Sequence, residues 1–270
     1  MSVLPCGNPT LPVPVIMRSN TAADIVEIFS SIQGEGMLVG CRQVFLRFHG
    51  CNLNCAYCDT RETHNSPVAE YCRIEETPGK RDFAPLKNPV TIQRVKEILV
   101  NWVTACPGAH HSISLTGGEP LLHDATLIDW LPVVHDILPV YLETNGTRHV
   151  ALSKCINFLD YISMDIKLPS TSGIDGLWEE HREFLMIASR KNAFVKIVVS
   201  GATQSWEIRK TCDLIFSVDR SIPLVIQPMT SASGDITISS STLLGFQEIA
   251  GSCLREVRVI PQTHRFLHML

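Results

Sequence analysis

Short apolar runs alternating with stretches of helical period predict an α/β protein built on a parallel sheet. Seven runs have strand-like composition, and the segments between them are long enough to hold a helix each. The runs are apolar on both faces, as strands covered on two sides must be. In chain order they are 43–48 (QVFLRF), 112–116 (SISLT), 140–145 (VYLETN), 161–167 (YISMDIK), 193–199 (AFVKIVV), 224–228 (LVIQP) and 256–260 (EVRVI). A barrel-like sheet and an open doubly wound sheet fit this periodicity equally.

The helical segments follow the same order. In 91–106, Val95, Ile98, Leu99, Trp102, Val103 and Cys106 recur at one-face spacing, and Thr91 stands where an N-cap belongs. Residues 124–138 form a second pattern, in which Pro132 is expected to kink or divide the helix. Further patterns cover 176–190 and 205–218. In either sheet architecture, chemistry belongs at the carboxyl ends of the strands. That rule brings the loops around 50–60, 116–120, 143–146, 165–173, 199–201 and 227–229 to one rim.

Two segments break the alternation. Residues 1–20 are rich in proline and read as a flexible tail. Residues 61–89 are polar and proline-bearing, too long for a plain connection, and read as an insertion that covers the site or as a mobile excursion. The remainder, 21–270, reads as a single domain.

Composition narrows the function classes. A net charge of −4 gives no electrostatic footprint for nucleic acid, and no apolar run is long enough to span a membrane. The chain starts with no basic or uninterrupted apolar leader. Ten cysteines in so long a chain point to a reducing compartment and to metal binding or packing, so the protein is expected to be cytoplasmic.

Three of those cysteines, Cys51, Cys55 and Cys58, crowd into GCNLNCAYCDT (50–60). A structural zinc site draws a second cysteine pair from elsewhere, and no second C-x2-C exists here. A redox C-x-x-C leaves Cys51 unexplained. An iron–sulfur cluster held by three thiolates keeps one iron open for a ligand, so the missing fourth donor becomes the purpose of the motif. Cys72 as a fourth ligand would block that iron, and it is expected not to be one.

CNLNCAYC, with Tyr57 before its third cysteine, resembles the cluster loop of the radical S-adenosylmethionine (SAM) enzymes. The resemblance implies a partial (β/α)6-type barrel with helices outside, and a 4Fe–4S cluster whose open iron binds SAM. LTGGEP (115–120) is similar to the glycine-rich motif of that superfamily. It implies SAM contacts by Gly117, Gly118 and Glu119, with Asp59, Glu143, Ser163, Asp165, Lys167 and Gln227 completing the SAM site. Read without the resemblance, Asn145-Gly146 is a tight turn and Asp165 with Lys167 a structural ion pair.

SIQGEG (31–36), FLRFHGCNL (45–53), CDT (58–60), TGGEPLL (116–122), DIKLPSTSG (165–173) and VIPQTH (259–264) together resemble the 7-carboxy-7-deazaguanine synthase family. This likeness runs from Asp24 to the C-terminus. It implies a lyase that contracts 6-carboxy-5,6,7,8-tetrahydropterin to 7-carboxy-7-deazaguanine with loss of ammonia. It further implies Mg2+ on the Thr60 hydroxyl and substrate contacts by Gln33, Gly34, Glu35, Arg47, Thr116 and His264. An electron donor such as flavodoxin or ferredoxin and a homodimer belong to the same expectation.

Arg47 carries an argument of its own. It sits in an apolar strand that runs into the cysteine loop, where a guanidinium needs an anionic partner. A substrate carboxylate held in a fork suits it, and a buried pair with Glu35 or Asp59 is the alternative. The rivals are a glycyl-radical-enzyme activase, acting on a protein, and a non-catalytic iron–sulfur or zinc module. Activases often carry extra cysteine sets for auxiliary clusters, and none is seen here; the non-catalytic module gives no reason for QGEG, GGEP and DIK in series.

Overall fold

The computed structural model describes residues 21–64, 67–231 and 233–269. The proline-rich tail expected over residues 1–20 lies outside them. The chain opens with β1 (Ala22–Ala23), which pairs antiparallel with β6 (Val90–Thr91) in a small separate sheet. Everything else is organised on one ten-stranded sheet.

The long apolar runs form β3 (Arg42–Phe48), β7 (Ser112–Gly117), β8 (Val140–Thr144), β9 (Tyr161–Ile166), β10 (Asn192–Val199), β11 (Leu224–Pro228) and β12 (Val257–Val259). Each pairs in parallel with the next in chain order. The helices between them are α1 (Ile92–Ala105), α2 (Asp124–His135), α3 (His149–Cys155), α4 (Pro169–Ser172), α5 (Trp178–Ala188), α6 (Ser205–Val218) and α7 (Ser240–Gly251), with α8 (Thr263–Phe266) near the end. A doubly wound sheet reverses the order of its parallel strands at a switch point; here β3 and β7 to β12 follow one another in a single direction. α1 packs on α2, α2 on α3, α3 on α5, α5 on α6 and α6 on α7, which makes one outer layer. The ambiguity of the sequence is thus resolved in favour of an open, partial barrel.

Thr91 caps α1, accepting the Arg94 amide at 3.4 Å. Of the two expected effects of Pro132, division does not occur: α2 runs through it to His135. Proline removes one donor, but it stands in the last turn, where little helix remains to be disrupted.

Along β10 the side chains alternate. Val195, Ile197 and Val199 join the main core under the helices, whereas Phe194 packs inside the arc with Tyr141 and Val225. That inner cluster plugs the arc and leaves room for a cavity towards the strand ends.

The insertion reading of 61–89 needs correction. After a turn of 3-10 helix at Arg61–His64, the described residues form β4 (Tyr71–Glu75) and β5 (Phe83–Lys87), an antiparallel hairpin. β4 pairs in parallel with β2 (Ile25–Ile32), a strand the apolar-run reading missed, and β2 pairs antiparallel with β3. The segment therefore extends the sheet beyond the barrel arc and is no lid. Of its described residues, only His64 lines the cavity.

Candidate active site

Strand register builds the cavity wall. Inward-facing neighbours across the ladders are Arg47 and Thr116 (β3–β7), Glu143 and Ser163 (β8–β9), Asp165 and Lys196 (β9–β10), and Val198 and Gln227 (β10–β11). Partners in register share a face of the sheet, so residues far apart in sequence line one surface. All eight border a single cavity, together with Gln33, Gly34, Glu35, Cys51, Cys55, Cys58, Asp59, Thr60, Gly117, Gly118, Lys167 and His264. Every site residue expected from sequence, except Glu119, faces this space.

The three cysteines stand on the loop after β3. Their sulfur contacts are loose: Cys51 Sγ lies 3.9 Å from Asn145 Nδ2, and Cys58 Sγ lies 3.8 Å from Thr60 Oγ1 and 3.9 Å from His64 Nε2. Burial pushes the Cys51 and Cys55 thiols above the usual range. Among the described residues, no three His, Cys, Asp or Glu side chains converge tightly enough for one metal ion. A single zinc requires sulfurs about 2.3 Å from a common centre. Thiols ringing a shared space suit a larger polynuclear group. Cys72, buried in β4 within the hydrophobic core, is not among the cavity-lining residues.

Glycine at 117 and 118 has a reason the sequence did not disclose. A Cβ on Gly117, where φ is +122°, would overlap the Phe48 backbone, and one on Gly118 would overlap the Gly50 carbonyl. The Glu119 amide then donates to Gly50 O at 2.8 Å. The glycine pair lets the two loops seat against one another, backbone to backbone, while both residues still line the cavity.

Glu119 itself is fully buried beside the cavity and does not line it. Its carboxylate accepts from the amides of Asn145 (2.8 Å) and Leu121 (3.1 Å) and from the Thr144 hydroxyl (2.9 Å). Burial outweighs these donors and lifts its carboxyl to about 7. It braces the 143–146 loop, and so the expected direct contact with SAM is not what this geometry presents.

Gln33, Thr116 and Glu143 are tied into one buried network. Gln33 Nε2 donates to Glu143 Oε1 at 2.7 Å and to Gln43 Oε1 at 3.0 Å; Thr116 Oγ1 donates to Glu143 Oε2 at 2.5 Å. Burial raises the Glu143 carboxyl. Nearer the cluster loop, Lys167 Nζ contacts Asp165 at 2.8 Å and donates to Tyr57 OH at 3.2 Å. The ion pair anticipated for Asp165 and Lys167 is present, and burial holds the Tyr57 phenol at about 12.

Arg47 has an ionic partner, but neither of the two considered. Its Nε donates to Glu27 Oε1 at 2.8 Å, and Arg73 reaches the other carboxylate oxygen at 2.5 Å. Glu27 is opposite both in register, on the strand that the sequence reading overlooked. Arg47 nonetheless borders the cavity.

At the far wall, Glu35 forms an ion pair with Lys196 and accepts from Gln227 Nε2 (3.1 Å) and Gln262 Nε2 (2.8 Å). Burial opposes its charge, yet Lys196, helped by the Gln262 hydrogen bond, brings its carboxyl down to about 2. The 262–264 turn is anchored because Gly34 O accepts from the Thr263 amide (2.9 Å) and hydroxyl (3.1 Å). Burial lowers the basicity of His264. Asp59 accepts from Gln262 at 3.3 Å.

Sequence reasoning missed Lys196, Gln262, His64 and Glu27. Lys196 carried a usable signal, since it is the one charged residue inside the apolar run AFVKIVV. Gln262 lay inside the VIPQTH motif but was not singled out, Glu27 lay in the overlooked strand, and His64 had no signal.

Residues 45–203 match the family model of the Radical SAM superfamily. The chain is 54% identical over 252 residues to a 7-carboxy-7-deazaguanine synthase of Geobacter sulfurreducens, covering 93% of this chain and 100% of that one. With the enzyme of the same name from Methanothermobacter thermautotrophicus identity is 37%, covering 94% and 98%. The crystal structure of QueE from Escherichia coli superposes with a TM-score of 0.57 at 21% identity, over 90% of this chain and 94% of that one. That last likeness concerns the fold alone. Family model and relatives agree with the cysteine loop and the barrel arc: the chain belongs to the radical SAM superfamily and, within it, to the 7-carboxy-7-deazaguanine synthases.

Proposed function

We propose that this chain converts 6-carboxy-5,6,7,8-tetrahydropterin to 7-carboxy-7-deazaguanine with loss of ammonia. The observation that carries the reading is one cavity with two unlike sets of lining groups: the thiols of Cys51, Cys55 and Cys58, and the polar side chains of Arg47, Gln33 and Glu35. When bound, a 4Fe–4S cluster and SAM supply the radical that removes a hydrogen atom from the substrate. Cys51, Cys55 and Cys58 would hold the cluster. Asp59, Gly117, Gly118, Glu143, Ser163, Asp165, Lys167 and Gln227 are the chain's surface for SAM, with Glu119 fixing the loop beneath.

Arg47, oriented by Glu27, presents a cation to the substrate carboxylate. Gln33 and Glu35 face the aminopyrimidinone edge, where an ionised Glu35 accepts N–H donors. Thr116 steadies Glu143, and His264, held largely neutral by burial, is placed to share a hydrogen bond with the ring. The Thr60 hydroxyl offers one oxygen for Mg2+, an ion that keeps several waters and needs few protein ligands. A one-electron donor of the flavodoxin or ferredoxin kind and a homodimer complete the proposal. No helix among the described residues is long and apolar enough to cross a membrane.

Anaerobic reconstitution with iron and sulfide, followed by SAM, dithionite and carboxytetrahydropterin, tests this reading. Deoxyadenosine and the deazapurine are expected together without another protein. Deoxyadenosine formed only when a protein substrate is added would replace the reading with an activase.

A further inference from the structure

Lys196 borders this cavity although no motif announces it. It projects from the middle of β10 and is 8% exposed. Its ammonium contacts Glu35 on the QGEG turn and Asp165 Oδ1 on β9, the latter at 3.2 Å. Asp165 in turn holds Lys167 at 2.8 Å. Charges therefore alternate along the wall in the order Glu35, Lys196, Asp165, Lys167, from the face assigned to substrate to the face assigned to SAM.

We infer that Lys196 is a positioning residue for substrate selection: a fixed cation that keeps the Glu35 carboxylate charged and aimed at the donor edge of the substrate ring. The inference rests on the reading of Glu35 as a substrate contact. Lys196 is no proton shuttle. Burial disfavours its charge, but Asp165 and Glu35 outweigh burial and hold the ammonium well above the usual lysine range. A proton so tightly kept is a poor general acid at neutral pH.

The groups facing Glu35 show why one cation matters. His264 stands on α8, Glu143 and Tyr141 on β8, and neutral Gln227 and Gln262 complete the shell. Glu143 repels a charge on Glu35, and His264 is mostly neutral. With Lys196 removed, burial and Glu143 act together to raise the Glu35 carboxyl and favour its protonated form. A protonated carboxyl presents O–H where the substrate presents N–H.

The test is substrate affinity of the reconstituted holoenzyme against pH, using 6-carboxy-5,6,7,8-tetrahydropterin as probe. Lys196→Met is expected to weaken binding at least about tenfold at neutral pH, and to recover part of the loss as pH rises. Lys196→Arg is expected to bind within about threefold of wild type, because the charge is kept. SAM affinity, read separately, is expected to move less than substrate affinity in both. A loss in Lys196→Met that does not vary with pH, or a Lys196→Arg as poor as Lys196→Met, would overturn the inference. If Lys196→Met does not fold, the wild type still decides. The affinity ratio of wild type to Glu35→Gln should stay constant from about pH 5.5 to 8. A ratio collapsing below neutrality refutes the fixed charge. A ratio of one throughout refutes the Glu35 contact itself and leaves Lys196 without its target.

Discussion

The parallel strands β3 and β7–β12 and the mixed edge β2–β4–β5 share one sheet but obey different rules. In the arc, β8 and β10 are buried almost throughout, and their inward polar groups are paired across the ladder. At the edge, β4 alternates between exposed and buried residues, with Tyr71 and Arg73 facing outward. Both-face burial demands apolar runs and tolerates polar residues only where they meet a partner or a ligand. The edge has one wet face and is free of that demand. Chemistry concentrates in the arc for this reason, and the edge supplies support.

The widest separation of the two regions lies in their cysteines. Cys51→Ala, Cys55→Ala or Cys58→Ala is expected to leave less than about a tenth of the wild-type iron after reconstitution, with no deoxyadenosine formed. Cys72→Ala, in the edge, is expected to retain the iron content and the cluster spectrum. Burial pushes the Cys72 thiol to about 11 and keeps it a packing residue. Loss of the cluster in Cys72→Ala would erase the distinction between arc and edge.

Glu119 gives the next largest effect. Its folded carboxyl titrates at about 7, above the ordinary value of 4.5, so the fold holds a proton that the unfolded chain releases. Stability contributed by this group is full below about pH 4.5 and declines as pH rises to about 7, by up to about 3 kcal/mol. Melting curves across that window should fall with pH in the wild type and flatten in Glu119→Gln. An unchanged slope would show that the three donors around the carboxylate, and not its burial, govern it.

The same contrast explains what the sequence disclosed. The apolar runs of β3, β8, β10 and β11 were legible because double burial writes itself into composition. Motifs at or just beyond the carboxyl ends of the parallel strands carried Cys51, Gly118 and Asp165 in fixed spacings that survive without coordinates. β2 was not legible: IVEIFSSI mixes charge and serine with its apolar residues because its neighbours are β3 and the polar hairpin. With β2 unseen, Glu27 could not be offered as the partner of Arg47, and Glu35 and Asp59 stood in its place. The bracing role of Glu119 was not legible for a different reason. A motif gives spacing, whereas the direction of a side chain depends on loops such as 143–146 that pack against it later.

Arg47 and Arg73 make the comparison within a single carboxylate. Both hold Glu27, but Arg47 borders the cavity and Arg73 is more than half exposed. Arg47→Ala is expected to cost about 1.5–3 kcal/mol in carboxypterin affinity, as loss of a charge-assisted contact does, while the cluster still assembles. Unchanged affinity would remove Arg47 from the substrate site.

Arg73→Ala is the smallest effect and the sharpest discriminator. Its guanidinium also lies over the Phe83 ring, 4.8 Å from the centroid, so the substitution removes a screened ion pair and a surface cation–π contact together. Solvent screening limits the loss to about 1 kcal/mol, or a melting shift of about 2–4 °C for a domain of this size. Glu27 keeps Arg47 as its partner, and substrate affinity is expected to stay within about twofold of wild type. A loss in Arg73→Ala matching that of Arg47→Ala would mean that the edge sets the position of the cavity arginine. The hairpin of 71–87 would then belong to the active site through Glu27, and the boundary drawn between arc and edge would have to move outward by two strands.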